Sequence, residues 1–435
     1  MTSDARGTTS IEELIASGAI VAHKDGNYGS NCPRVEEFGT EGVAFLTAKS
    51  LRDGYVDIAG APRLGDARAD ELTFRFVQTD DVLLSHNATT GRVAVVPQHK
   101  GRLLVGTSLT YFRLNPQKLL PRYLAVYLAG VDFQNQLVAV MSHSTRNQVP
   151  VTAQRKRHVV VPPLAEQKAI ATVLGALDDK IELNRRMNAT LESMARALFQ
   201  SWFVDFDPVR AKLDGRQPAG MDAMTAALFP DKFQDSVFGH IPHGWTIGTI
   251  TDCCDRIHSG GTPRRDEPEY WDHGTIPWLT SGEVRQPMVT ATENFISELG
   301  LRESSAKWLP ANSTVVALYG ATAGQVSFLG TTATTNQAIC SLIPKPGFEF
   351  FNYFAMRGAT AEMESKAVGS AQQNISNGII EETVVILPLS EILSQFNLAA
   401  GPLFGSWITN IKQAQTLAIL RDTLLPKLLS GDMRI

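Results

Sequence analysis

A chain of 435 residues, 43% of them apolar, is long enough for two domains with cores of their own and too apolar for low-complexity disorder. Its 40 basic and 44 acidic residues leave a net charge of −4, so any nucleic-acid contact must rest on local cations or on partners. Four cysteines without Cys-x-x-Cys spacing and nine histidines without a metal-ligand pair at helical spacing argue against a disulfide framework or a structural metal.

The N-terminus, Met1-Thr2-Ser3-Asp4-Ala5-Arg6, is polar, and no apolar run approaches 18 residues. A cytoplasmic protein without membrane association is therefore expected. Residues 1–163 carry short apolar runs such as Asp81–Ser85, with turn residues every eight to twelve positions, which predicts strands with a few helices. Polar segments rich in Asn, Gln, Ser, Thr and Arg lie between these runs. Arg, Asn and Gln pair with base edges and Ser, Thr and Lys grip phosphates. Lys24, Asn27, Tyr28, Ser30, Lys49, His86, Asn87, Thr89, Arg92, Arg146 and Gln148 are accordingly candidate nucleic-acid contacts, the other reading of such residues being ordinary turn chemistry.

Pro162-Pro163 punctuates the start of a helical pattern from Leu164 to about Phe206. Ile170, Leu174, Leu177, Ile181, Leu191, Ala195, Leu198 and Trp202 alternate in steps of three and four, a coiled-coil seam. Asn184 and Asn188 fill its remaining positions and are expected to set register.

A second mixed unit occupies 213–388, with 11 basic and 19 acidic residues against 18 and 15 in residues 1–164. Its candidate contacts are Thr262, Arg264, Arg265, Tyr319, Thr322, Gln325, Asn336, Gln372, Gln373 and Asn374. A second helix fills 389–435, where Gly401-Pro402 and Gly405 predict a kink or break before the run from Ile408 to Leu429.

The chain repeats itself. Val159–Glu166 returns 225 residues later as Val384–Glu391, and Leu191, Met194 and Leu198 map onto Leu417, Leu420 and Leu424 at an offset of 226, which also carries Asn184 onto Asn410. Thr89-Thr90-Gly91-Arg92-Val93-Ala94 matches Thr322-Ala323-Gly324-Gln325-Val326-Ser327. The expected architecture is α/β: two similar mixed units (1–163 and 213–388), each followed by a long helix (164–212 and 389–435), the helices pairing as an antiparallel coiled coil with pseudo-twofold symmetry. A period above 200 residues excludes solenoids and propellers.

Leu164-Ala165-Glu166-Gln167-Lys168-Ala169-Ile170, the run from Ser201 to Lys212 and the ending Leu424–Gly431 resemble the specificity subunit of type I restriction–modification systems. So do Ile241-Pro242-His243-Gly244-Trp245, Gly261-Thr262-Pro263, Glu269-Tyr270-Trp271 and Ile276-Pro277-Trp278. Ile392 departs from the pattern, standing where the first copy has Gln167. The resemblance implies two target recognition domains, each reading half of a bipartite double-stranded DNA site. It further implies helices that set the spacing and dock two modification (methyltransferase) subunits, with restriction subunits in the full complex. On this reading the chain holds no cofactor: S-adenosylmethionine belongs to the modification subunit, ATP and Mg to the restriction subunit.

Enzyme signals are poor. Asp205-Phe206-Asp207-Pro208 lacks the remainder of a methyltransferase motif, and Gly320-Ala321-Thr322-Ala323-Gly324 lacks the Lys-Ser/Thr of a phosphate loop. Glu166-Gln167-Lys168 spells a nuclease-like E-x-K but opens a helix, where Glu favours the positive dipole end. A non-catalytic DNA adaptor is therefore expected; the alternatives are a coiled-coil protein scaffold without DNA specificity and a self-contained methyltransferase or nuclease.

Overall fold

The computed structural model describes residues 7–430, except 53, 73–74, 88, 143–146 and 367–373, together with 432–433. Chain contacts divide it into two units, Met1–Arg185 with Gln413–Ile435, and Arg186–Lys412. The division falls inside both long helices, so each unit takes a share of each helix; the repeat places the boundaries at the helix starts instead.

Both units build the same central sheet. In unit 1 the order is Ile20–Asp25, Leu109–Leu114, Val82–Ser85 and Val93–Val95, all antiparallel. In unit 2 it is Cys254–Ser259, Ile339–Pro344, Thr314–Ala317 and Val326–Leu329, with Met288–Val289 added in parallel at the edge. The apolar runs around Leu83 and Val315 are thus inner strands, buried along their whole length. A further parallel pair recurs as well, Val43–Leu46 with Leu103–Val105 and Ile276–Leu279 with Thr334–Thr335. Each long helix is preceded by a strand paired with an early strand of its own unit: His158–Val160 with Thr8–Ser10, and Val384–Leu387 with Thr246–Thr249.

The first long helix runs Leu164–Phe199 and continues as a π-helical turn, Gln200–Val204. Phe206 then adopts φ 55°, and a short helix, Asp207–Leu213, follows. The π turn and left-handed Phe206 end the seam earlier than the expected Phe206, because Trp202, Phe203 and Phe206 are drawn into the core of unit 2 beside Phe229 and Trp245. The second long helix runs as one element, Ser390–Ser430, so of the kink or break expected at Gly401-Pro402 the break does not occur.

Within unit 1 the two helices pack Ile170, Ala171 and Leu174 against Leu425, Leu428 and Leu429. Asp178 pairs with Arg421 at 2.8 Å and Asn184 Nδ2 donates to Gln413 Oε1 at 2.9 Å, so rising numbers meet falling ones and the pairing is antiparallel. Asn184 is buried and hydrogen-bonded to Gln413, as a register-setting residue of the seam requires. Asn188 and Asn410 are half-buried in unit 2. There Ala195, Phe199 and Trp202 share a core with Ile392, Phe396, Phe404 and Trp407.

Gln167 and Ile392 show why the helix starts differ. Gln167 is 1% exposed and fully engaged, accepting from Leu120 N–H and donating to the carbonyls of Lys118 and Pro162. At the corresponding place in unit 2 Ile392 sits in an apolar cluster and needs no such partners.

Candidate nucleic-acid interface

Five backbone hydrogen bonds recur in the two units and gather the same loops at one end of each central sheet. Gly26 N–H donates to Leu109 O and Gly260 N–H to Ile339 O, both at 3.1 Å. His86 N–H bonds Ser108 O at 3.0 Å, and Leu318 N–H bonds Ala338 O at 2.8 Å. Val149 N–H returns to His86 O and Ile375 N–H to Leu318 O, each at 2.9 Å. Next to these joints stand two isolated bridges, Asn87 with Gln148 and Tyr319 with Asn374.

The repeated Thr-x-Gly is a turn built for this purpose. Gly91 and Gly324 adopt φ of 97° and 80°, a region that side chains disfavour. Their N–H groups return to Ser85 O and Ala317 O, while Ser85 and Ala317 donate to the carbonyls of Arg92 and Gln325. The loop is thereby closed on itself and holds its side chains in fixed directions.

Several candidates do lie together on these loops. In unit 1 Asn27, Ser30 and Thr89 are exposed, Asn87 and Gln148 are half-buried, and Lys24 and Lys49 project from neighbouring segments. In unit 2 Tyr319, Gln325 and Asn374 are exposed and Asn336 is half-buried, its Oδ1 accepting from Ala338 N–H at 3.1 Å. Thr262 hydrogen-bonds Gln337. Arg265 is exposed and lies over the rings of Trp271 and Trp278 at 4.3 and 5.0 Å.

Other candidates turn inward. His86 and Thr322 are 2% and 4% exposed and offer nothing at the surface. Tyr28 donates its hydroxyl to Val105 O at 2.8 Å beneath the Arg75 guanidinium, and burial pushes its phenol upward. Arg92 is spent on the carbonyls of Ala48 and Leu51 at 3.2 and 3.1 Å, and Arg264 on Asp266 and Glu267 at 2.9 and 3.2 Å. Arg146, Gln372 and Gln373 lie outside the described residues.

Of the two hubs, Gly106–Leu109 holds no sequence candidate and Thr335–Ile339 holds Asn336 alone, because the two segments share no sequence and are equivalent only through their hydrogen bonds. The reading of the residues also missed Asn377, which exchanges hydrogen bonds with Ser259 at 2.9 and 3.1 Å and ties the 374–377 segment to the strand leading into the Gly260 loop. Among the described residues no group of three or more His, Cys, Asp or Glu could hold a metal ion. Burial pushes the thiols of Cys253 and Cys254 up to about 12, which leaves them protonated and unreactive.

Comparison with known proteins decides the family. The family model described as "Type I restriction modification DNA specificity domain" matches twice, at residues 44–193 and 242–398. The chain belongs to this family. Each matched segment takes in interface loops of one unit and runs on into a long helix. The HindI specificity subunit of Haemophilus influenzae is 28% identical, over 82% of this chain and 87% of its own length. The MjaIX specificity subunit of Methanocaldococcus jannaschii is 24% identical, over 92% and 89%. The crystal structure of the type I restriction–modification S subunit from M. genitalium superimposes with a TM-score of 0.54 at 13% identity, covering 98% of this chain and 97% of that one, which extends the likeness of fold to the whole chain. Among the described residues no single helix is long and apolar enough to cross a membrane.

Proposed function

We propose that the chain is the DNA sequence-specificity subunit of a type I restriction–modification enzyme, each unit reading one half of a bipartite site. The observation that carries this is the duplicated joint: the same hydrogen bonds gather the same loops at one end of both units, and those loops present Asn, Gln, Thr, Tyr and Arg side chains to solvent. Two such readers on one chain match a site made of two separated half-sites. The long helices set the gap and offer the docking faces for two modification subunits, with restriction subunits joining in the full complex. Chemistry belongs to those partners: S-adenosylmethionine to the modification subunit, ATP and Mg to the restriction subunit, and adenine flipping to the former.

Exchange of residues 1–163 for those of a relative, followed by methylome sequencing of a host that also carries the partners, tests the reading. One half-site is expected to change while the other persists. A change in both halves together contradicts two independent readers.

A further inference from the structure

Among the described residues of unit 2, Arg265 is held ready for a task that its surroundings do not use. Arg264 and Arg265 are adjacent, yet Arg264 takes both nearby carboxylates, Asp266 and Glu267. Among the described residues Arg265 has no carboxylate within ion-pair distance. Its guanidinium instead lies over two indoles, 4.3 Å from the Trp271 centroid and 5.0 Å from that of Trp278. The indoles meet edge to face at 83° and 5.0 Å. Both are anchored, Trp278 Nε1–H to Gly261 O and Trp271 Nε1–H to Arg264 O, each at 2.9 Å. Trp278 is 1% exposed, so its ring cannot swing away.

This arrangement restrains the guanidinium by its π face and leaves the N–H edge for a ligand. The loop is rigid for a further reason. A Cβ on Gly260 would overlap Thr335 O, and one on Gly261 would overlap Ala306 N, so both glycines are there to let the backbone pass closely. Gly261 N–H bonds Thr335 O at 2.8 Å, which seats the Arg265 loop on the hub segment that also holds the Tyr319 loop.

We propose that Arg265 is a specificity-determining residue of unit 2 and reads a guanine in its half-site, with two guanidinium N–H groups donating to O6 and N7 in the major groove. The proposal rests on the reading of the chain as a specificity subunit. A fork held in one plane suits two acceptors fixed in the plane of a base. A phosphate contact needs no such plane, and a mobile lysine would serve it equally well.

The test uses the full chain assembled with its modification subunits, as wild type, Arg265→Ala and Arg265→Lys. Each assembly selects from duplexes randomised at every position of both half-sites, and binding to the chosen site is followed across a salt series. The expected result is that one guanine of the half-site left unchanged by the 1–163 exchange loses its preference. Affinity for the guanine-containing site falls about 10- to 100-fold with the salt slope retained, and lysine does not restore it. Arg265 is exposed, so the variants should fold as the wild type does, which circular dichroism checks. A uniform loss over all sequences with a salt slope lower by about one marks a phosphate contact and overturns the proposal. An unchanged base profile, or a wild-type half-site without guanine, overturns it too. A wild-type assembly with no half-site preference overturns both this assignment and the reading beneath it.

Discussion

His86 stands where the repeat puts Leu318, and the comparison shows what the fold asks of that position. Leu318 is 2% exposed in unit 2 and makes the matching two backbone bonds, so the place is apolar by design. In unit 1 the imidazole is equally buried, among the described residues neither ring nitrogen makes a hydrogen bond of good geometry, and burial lowers its pKa against the opposing pull of Asp25 and of the Leu109 and His86 backbone. An unsatisfied buried polar group costs about 1–3 kcal/mol. His86→Leu is therefore expected to stabilise unit 1 by about that amount, read as a rise in urea midpoint at unchanged slope. The sequence flagged His86 because it adjoins Asn87 in a polar loop; burial is not visible in a one-dimensional pattern. His23 makes a second residue-scale prediction. It stacks on Phe112 at 4.2 Å, and its Nε2 meets Gln154 Oε1 at 3.1 Å. Burial lowers its pKa to about 4, reinforced by Arg155 and His86 and opposed by the Gln154 bond and Asp25. Folded His23 thus favours the neutral form, so its stabilisation is complete above pH 6.5 and disappears as pH falls toward 4, a loss of about 3 kcal/mol. Thermal melts between pH 7 and 4 should show this descent, and His23→Gln should make it shallower.

At the scale of elements, the joints depend on two glycines. A Cβ on Gly26 would overlap Gly106 O and Val105 O, and one on Gly260 would overlap Thr335 O; each offending atom is backbone and cannot swing aside. Gly26→Ala is expected to weaken the unit 1 half-site alone and Gly260→Ala the unit 2 half-site alone, each with a stability loss above about 2 kcal/mol. Base selection by the assembled variants checks this, and equal damage to both half-sites would count against separate readers. The seam of the long helices was legible because alternating three and four residue steps follow directly from helix geometry. The continuity at Pro402 was not. A proline inside a helix costs about 3 kcal/mol, but Phe404 and Trp407 on the next turns are buried at 1% and 3%, and two such aromatic side chains together return more than that. Leu398, whose carbonyl loses its helical donor, belongs to an exposed residue where water can replace the bond. Local punctuation loses to tertiary packing there, and the sequence alone does not say which aromatic residues will meet.

For the whole molecule, the charge is distributed unevenly between units. Unit 1 holds 24 basic and 21 acidic residues, unit 2 holds 16 and 23. Part of the basic complement is also already engaged. Arg92, Arg264 and Arg421 are committed to internal carbonyls or carboxylates and are not available to phosphates. Phosphate neutralisation supplies a large part of protein–DNA affinity, and each phosphate contact adds about 0.9 to the salt slope. A chain with net −4 overall should therefore hold duplex DNA weakly by itself, with a Kd above about 1 μM at physiological salt, and show no methylation with S-adenosylmethionine alone. Adding modification subunits should bring both specific binding and a steeper salt slope, because the added cations come from the partners. Titration of the purified chain into labelled duplex, with and without partner across a salt series, measures both quantities. Nanomolar specific binding by the chain alone would mean that its own side chains, Arg265 among them in unit 2, carry the affinity as well as the selectivity.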